Sequence, residues 1–370
     1  MSIVSRVVVR VLENDPPFFT PDSCLNRRQT RYPCTRCHER CTGGALPKNP
    51  VTEKIDWAKC IGCGICVTAC PARCFAPDLK QQRNMAAPST GESVSFACAH
   101  TKEPVGERHV ECLSGLPWEW LAALALRTKV QLYTGECEGC AVEGCREQLL
   151  ENLTLLRVFL GEDRFERQVI LQDDPSALKR QEDTQVMDRR SILGMFGRNI
   201  KTKAAAGIGS MLPVPKEDPA RNGFAYRMLL ANMLLVDCAE RSKKSKEAHT
   251  EPKYPSYGVL LPDFGAKCHG CGVCVRVCPQ KALSIEKEDE HFSVISIEPA
   301  KCTACGLCQK VCLHGGIPGF EENTVHHLHK QGHVRVRHDS CLKCGNSIPV
   351  DTEDGMCIAC SVKYGKGRRK

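Results

Sequence analysis

Aromatic side chains are scarce, with Phe, Trp and Tyr together making up 5% of the 370 residues. Such rings dominate core burial where they are plentiful, so one large aromatic core is excluded. Long apolar runs are also missing. The most apolar stretch, 224–236 (FAYRMLLANMLLV), carries Arg227 and falls short of the roughly 20 residues that a membrane-spanning helix needs. It reads as a buried amphipathic helix. There is no P-loop, no GxGxxG after a strand and no GxSxG, so phosphate cradling and acyl transfer have no motif to rest on. No catalytic residue and no independent enzymatic activity are expected. No secretory signal is read ahead of the cysteines, and the expected location is cytoplasmic. Thiols stay reduced there, which argues against a disulfide framework.

Cysteine is what the chain has in excess, at 27 residues. Many of them fall into regular runs. Cys60-x2-Cys63-x2-Cys66-x3-Cys70-Pro71 lies near the N-terminus. Cys268-x2-Cys271-x2-Cys274-x3-Cys278-Pro279 comes much later, and Cys302-x2-Cys305-x2-Cys308-x3-Cys312 follows it at once. A cubane iron–sulfur core needs four thiolates in a tetrahedral array. Two-residue gaps let three sulfurs of one loop point inward, and a three-residue gap turns the chain into a helix that carries the fourth to another core. Gly64, Gly272 and Gly306 stand where the backbone passes close to that core, a place that favours a residue without Cβ.

These runs resemble those of bacterial dicluster ferredoxins. The resemblance implies [4Fe–4S] clusters that share their fourth ligands crosswise. In the C-terminal half, cluster C then takes Cys268, Cys271, Cys274 and Cys312, and cluster D takes Cys302, Cys305, Cys308 and Cys278. The N-terminal run needs a partner, and the candidate lies upstream as Cys24-x9-Cys34-x2-Cys37-x3-Cys41, the usual run with seven residues inserted. Cluster A is assigned to Cys24, Cys34, Cys37 and Cys70, with Cys74 a competitor for the place of Cys24. Cluster B is assigned to Cys60, Cys63, Cys66 and Cys41. Cys41 is followed by Thr42 and Cys312 by Leu313, where the other runs have proline; proline shapes this turn but ligates nothing. Cys34-x2-Cys37-His38 also fits the haem-attachment pattern. Covalent haem requires export, and both thiols fit the ferredoxin run better.

Residues 86–175 carry a different pattern. Ser93–Ala97, Arg108–Glu111, Val130–Tyr133 and Val169–Leu171 read as strands, and Trp118–Arg127 and Arg146–Phe159 as helices between the later ones. This alternation predicts a parallel sheet. Cys98, Cys112 and Cys137 each follow a strand, and ligands of open parallel sheets gather at the carboxyl ends of strands. Cys140 and Cys145 share the loop of Cys137. The segment resembles the delta-subunit family of methyl-viologen-reducing hydrogenases in Cys98, in Val110-Glu-Cys112-Leu-Ser-Gly-Leu116 and in Gly135-Glu-Cys137-x2-Cys140. The resemblance implies one further cluster, [2Fe–2S] or [4Fe–4S], on Cys98, Cys112, Cys137 and Cys140, with Cys145 a non-ligand or an alternative ligand.

Residues 176–250 read as a charged helical connector. Asp188 marks a helix start in place of a twin-arginine signal, Arg241–Glu247 (RSKKSKE) a solvated linker, and Cys238 a packed free thiol. The tail holds Cys341-x2-Cys344 and Cys357-x2-Cys360 with twelve residues between the pairs. Such knuckles supply four sulfurs to one tetrahedral metal, as in a zinc ribbon; rubredoxin-like iron uses similar geometry. The expected metal is structural Zn. Val334–Arg337 alternates as a strand, and the histidines at 326, 327, 329, 333 and 338 read mostly as exposed hairpin residues.

The expected architecture is α+β and multidomain. A ferredoxin-like dicluster domain spans 1–85, opening with an edge strand at 7–12. An α/β domain spans 86–175, the connector 176–250, a second dicluster domain 251–322 and a zinc-ribbon-like module 323–370. The formal charge of +8 counts every cysteine as neutral. Each four-thiolate site carries about −2, so four or five such sites offset the excess and weaken any argument for nucleic acid binding. The expected function is multi-cluster electron transfer. It resembles that of ferredoxin-type subunits relaying electrons between a low-potential donor and a larger oxidoreductase in anaerobes. Two other readings remain open. One is a redox- or iron-responsive regulator using the zinc ribbon and the Lys366–Lys370 tail; the other is an iron–sulfur assembly scaffold.

Overall fold

The computed structural model describes residues 16–85, 93–102, 105–140, 142–178, 223–250, 255–326, 328–329, 332–350 and 352–364. The strand expected at 7–12, the helix start at Asp188, His327 and the Lys366–Lys370 tail lie outside the described residues. The chain divides into two compact units: Met1–Pro21 with Cys34–Leu230, and Asp22–Pro33 with Ala231–Lys370.

In the first unit, β1 (Phe18–Phe19) pairs antiparallel with β2 (Phe75–Ala76). Four further strands, β3 (Ser93–Cys98), β4 (Arg108–Val110), β5 (Lys129–Tyr133) and β6 (Val169–Gln172), form a sheet in the order β4-β3-β5-β6. All its pairs are parallel. These strands match the expected ones to within a residue at each end. The middle of β3 is buried at Val94, Ser95, Phe96 and Ala97 in succession, as a strand covered on both faces must be. The chain steps outward from β3 to β4 and then crosses back to β5 on the other side. That reversal opens a crevice at the carboxyl ends of β3 and β5.

The helix Trp118–Ala125 is buried almost all round, and Trp120 meets Phe96 of β3 edge-on at 5.3 Å. Cys145–Leu160 is amphipathic and buries Leu149, Leu153, Leu156 and Phe159. A short helix, Glu162–Gln168, was not expected; Gly161, at φ +76°, makes the break before it.

Residues 34–85 have little sheet of their own and are tied to the parallel-sheet part by buried polar bonds. Thr68 Oγ1 donates to the Ser114 carbonyl at 2.7 Å. Arg73 pairs with Glu119 at 2.9 Å, both buried, and also donates to the carbonyls of Thr68 and Cys70. The Glu111 N–H donates to Gln81 Oε1 at 2.9 Å.

The second unit carries sheets of its own. β7 (Tyr257–Pro262) pairs antiparallel with β10 (Phe320–Val325), while β8 (Leu283–Lys287), β9 (Phe292–Ile297) and β11 (Gly332–Arg337) form a sheet in the order β11-β9-β8. Ser293, Ile295 and Ile297 of β9 are buried in strict alternation, the period-2 pattern of a sheet packed on one face. The sheet structure continues past residue 322, since β10 ends at Val325 and β11 joins β9. His338 follows β11 and is fully buried, bonded to Ser293 Oγ at 2.9 Å; this corrects the exposed reading for His338, whereas His326 and His333 are exposed as expected.

A small hairpin, β12 (Asp339–Ser340) with β13 (Ser347–Ile348), and the helix Ile358–Tyr364 form the tail. The apolar run at 224–236 is helical, and the helix Ala225–Glu247 continues through Arg241–Glu247. That stretch is solvated as expected, with most of its residues exposed, but it is helical. The segment has no glycine or proline to stop a helix, and Asp237 pairs with Arg241 one turn on at 2.7 Å. Cys238 is buried, its thiol directed at the His326 carbonyl at 3.7 Å. No described helix is long and apolar enough to cross a membrane.

Candidate metal centres

The cysteine that ends each run is followed by one repeated turn. The N–H three residues on bonds back to the cysteine carbonyl: Gly44 to Cys41 at 3.0 Å, Arg73 to Cys70 at 3.2 Å, and Lys281 to Cys278 and Gly315 to Cys312 at 3.3 Å. All four of these residues are left-handed, with φ between +51° and +64°. For Arg73 and Lys281, which carry a Cβ, that conformation costs energy that the surrounding structure must supply. The next N–H then donates to the cysteine sulfur: Ala45 to Cys41 at 3.3 Å, Cys74 to Cys70 at 3.4 Å, Ala282 to Cys278 at 3.3 Å and Gly316 to Cys312 at 3.1 Å. The turn is the same with and without the following proline. An N–H aimed at sulfur favours the thiolate, the form that binds metal.

The other three sulfurs of a run come from its loop. Gly64, Gly272 and Gly306 cap the short helices after these loops at φ +70°, +70° and +76°. In the first unit, burial pushes the Cys63 thiol up to about 12. Cys66 is raised by burial and then by the charges of Cys63, Cys60 and Cys41. Cys41 thus stands among the cluster B thiols, across from its own run.

The second unit repeats this arrangement twice. Cys274 is pushed up to about 12 by burial and then by Cys268, Cys271 and Cys312. Cys308 is raised by burial and then by Cys302, Cys305, Cys274 and Cys278, and Cys305 by burial and then by Cys278. Thiols that repel one another in this way ionise together only opposite strong positive charge. Iron–sulfur cores supply it, so the donor sets fit that group.

Cluster A is distributed differently. Cys34, Cys37 and Cys70 lie in the first unit, whereas Cys24 belongs to the segment grouped with the second. Cys37 is close enough to Cys66 to raise its thiol. Cys74 is buried, and its sulfur lies 3.0 Å from that of Cys70. That contact, ahead of burial, holds Cys70 below the usual thiol range. At the matching position the other three runs have alanine or glycine.

At the carboxyl ends of β3 and β5 an open recess of about 140 Å³ is lined by Cys98, Cys112, Cys137, Cys140 and Cys145. The strand-end topology therefore brings together every cysteine expected there, and Cys145 with them. Cys112 lies at the centre of the group's hydrogen bonds. The thiols of Cys145 and Cys98 hydrogen-bond to it and hold it far below the usual range; both partners are raised in turn. Burial pushes Cys137 up to about 11, with Cys112 and Cys140 adding to it. Further contacts run from the Cys98 thiol to the Glu111 carbonyl at 3.2 Å and between Cys112 Sγ and Ser114 Oγ at 3.1 Å. Cys145 sits deeper than a spare thiol need be. The local signal for it is Gly144, left-handed at φ +72° before a helix, as Gly64 is before the helix of Cys66.

In the tail, the sulfurs of Cys341, Cys344, Cys357 and Cys360 all lie within 4.8 Å of one another. The Cys357 N–H donates to Cys341 Sγ at 3.2 Å and leads the contacts that bring Cys341 down to about 6. Beyond these cysteines the tail core holds only Ile348 and Met356. Four thiols at this separation, with one already stabilised as thiolate, fit a single tetrahedral ion.

Comparison with known families places two of these regions. Residues 267–316 match the family model of a 4Fe-4S dicluster domain, and residues 53–75 that of a 4Fe-4S binding domain. No curated protein and no solved structure gives a significant match. The matched segments include neither the parallel sheet nor the tail. The chain therefore carries two ferredoxin-type 4Fe-4S domains on a mixed α/β fold, which points to an iron–sulfur electron-transfer protein.

Proposed function

We propose that the chain is a multi-cluster relay subunit of an anaerobic oxidoreductase complex, passing electrons from a low-potential donor protein to a larger partner. Four [4Fe–4S] clusters occupy the sets given above, with Cys24 completing cluster A. A fifth cluster, [2Fe–2S] or [4Fe–4S], takes Cys98, Cys112, Cys137 and Cys140, and Cys341, Cys344, Cys357 and Cys360 hold structural Zn. A bound cluster supplies reversible one-electron storage at a potential set by its surroundings. The chain sets those surroundings. The turn after each fourth cysteine presents an N–H to sulfur, and the loops leave their cysteines only partly exposed to water.

What supports this reading is that Cys41, Cys278 and Cys312 each act on a thiol of the opposite run, Cys60, Cys305 and Cys268, and that the Gly316 backbone just after Cys312 lies against Cys268. A dicluster domain requires that exchange, whereas a single sensing cluster does not. Complete four-thiolate cages also retain a cluster, while an assembly scaffold must release one. The test is repeated reduction by dithionite and reoxidation of the anaerobically purified full chain, mixed with an apo-ferredoxin. Full bleaching and recovery with no iron passing to the apo-protein is expected. Iron transfer during cycling contradicts the relay and favours the scaffold.

A further inference from the structure

The loop of Cys63 and the loop of Cys112 meet backbone to backbone. A Cβ built on Gly115 lies 2.9 Å from the Cys63 carbonyl oxygen and 3.1 Å from Gly64 Cα. One built on Gly64 lies 3.0 Å from Gly115 Cα. The positive φ of Gly64 explains its own glycine. Gly115 is not among the positive-φ residues, so close approach is what excludes a side chain there.

The matching glycines of the other runs make no such contact. A Cβ on Gly272 meets only side-chain atoms, at 3.5 Å and beyond, and one on Gly306 meets nothing within 4 Å. The junction is also firmly held. Ser114 presents its carbonyl to Thr68 Oγ1 at 2.7 Å and to Asn152 Nδ2 at 3.0 Å, and Asn152 also donates to the Leu116 carbonyl. Across it, the Cys63 side chain packs on the buried group of Ile65, Ala69, Cys112 and Cys145.

We propose that this junction is an electron bridge between the cluster held by Cys41, Cys60, Cys63 and Cys66 and the cluster of the Cys98–Cys145 recess. The proposal rests on the reading that the recess holds a cluster. Electronic coupling falls steeply with separation and is strongest through bonded, tightly packed, water-free atoms. Cys63 offers such a path from ligand to backbone, and Gly115 returns it through Cys112 three residues away. One electron crosses; the first cluster is oxidised by one, the second is reduced by one, and no proton moves and no bond is made or broken. Cluster B is then the outlet of the first ferredoxin-type region.

The test uses the anaerobic full chain, its iron and sulfide counted, and EPR at stepped potentials set with dithionite. The expected result in the wild type is faster spin relaxation of the recess signal once cluster B is reduced. After mixing with reduced methyl viologen, freeze-quenched Gly115→Ala should fill the recess cluster severalfold more slowly at unchanged iron content. Glu162→Gln, which breaks only the exposed Arg157 pair away from the cysteine loops, should match the wild type. A recess cluster that relaxes independently of cluster B overturns the bridge and leaves the relay standing. A recess without iron overturns the bridge together with the reading that the recess holds a cluster. If Gly115→Ala does not fold, the wild-type relaxation measurement decides.

Discussion

In the second unit, β7 and β10 pair over six residues and a three-stranded sheet of β8, β9 and β11 backs the cysteine loops. In the first, the described residues of the cysteine-run region have only β1 and β2, paired over two residues each. Yet the same turn follows the last cysteine of every run in both, with the same left-handed residue and the same N–H to sulfur. The turn is thus a local property of the cysteine spacing and does not depend on the sheet around it. The first region takes its rigidity from the neighbouring α/β layer through Thr68, Arg73 and Gln81; the second takes it from its own strands.

The tail is the limiting case of a scaffold, since among the described residues its core is little more than Cys341, Cys357, Cys360, Ile348 and Met356. Chelating its metal should have the largest effect, because binding in such modules supplies on the order of 10–16 kcal/mol of folding free energy. Hydrogen exchange over 339–364 should then rise to unfolded rates while the cluster absorbance stays unchanged.

Next in size is Arg73→Ala, which leaves buried Glu119 without its partner at a cost of about 3–5 kcal/mol. In a denaturant titration, the ferredoxin-type clusters of the first unit should bleach early and those of the second at the wild-type midpoint. Simultaneous bleaching of both units would break the distinction between borrowed and built-in scaffolds. The reciprocal change is Ile295→Ala in β9, at about 2–5 kcal/mol for a buried truncation. It should release the clusters of the second unit first and spare the first.

The smallest effect is expected at Cys74→Ala, which converts the first unit's turn to the residue found at Ala45 and Ala282. Iron content should not change. The cluster on Cys70 should become harder to reduce, since a thiol hydrogen bond to a ligand sulfur favours the reduced state. A redox titration followed by EPR checks this, and loss of iron would instead make Cys74 a ligand.

The parallel sheet was legible because buried strands there read as short apolar runs between turns, as at Val94–Ala97 and Val130–Tyr133. Convergence of Cys98, Cys112, Cys137 and Cys140 on the recess then followed from topology. What sequence could not supply was pairing at a distance. Arg73 sits in an unremarkable Pro-Ala-Arg-Cys segment, and its ion pair with Glu119, 46 positions away, has no periodic signature. The same holds for β11, whose partner β9 had to be found in space, and for His338, which looks exposed until Ser293 is placed beside it. Gly115 looks like an ordinary loop glycine until the Cys63 loop is laid against it.

The central claim is that both dicluster regions fill their four-cysteine cages on these unlike scaffolds. The most direct measurement is iron and acid-labile sulfide per chain after anaerobic purification, with Mössbauer spectra to assign cluster type. Four cubanes and one recess cluster predict about 16 iron atoms in cubane-type quadrupole doublets from the dicluster regions, plus about two to four from the recess. Roughly half that content, with one dicluster region empty, would contradict the account.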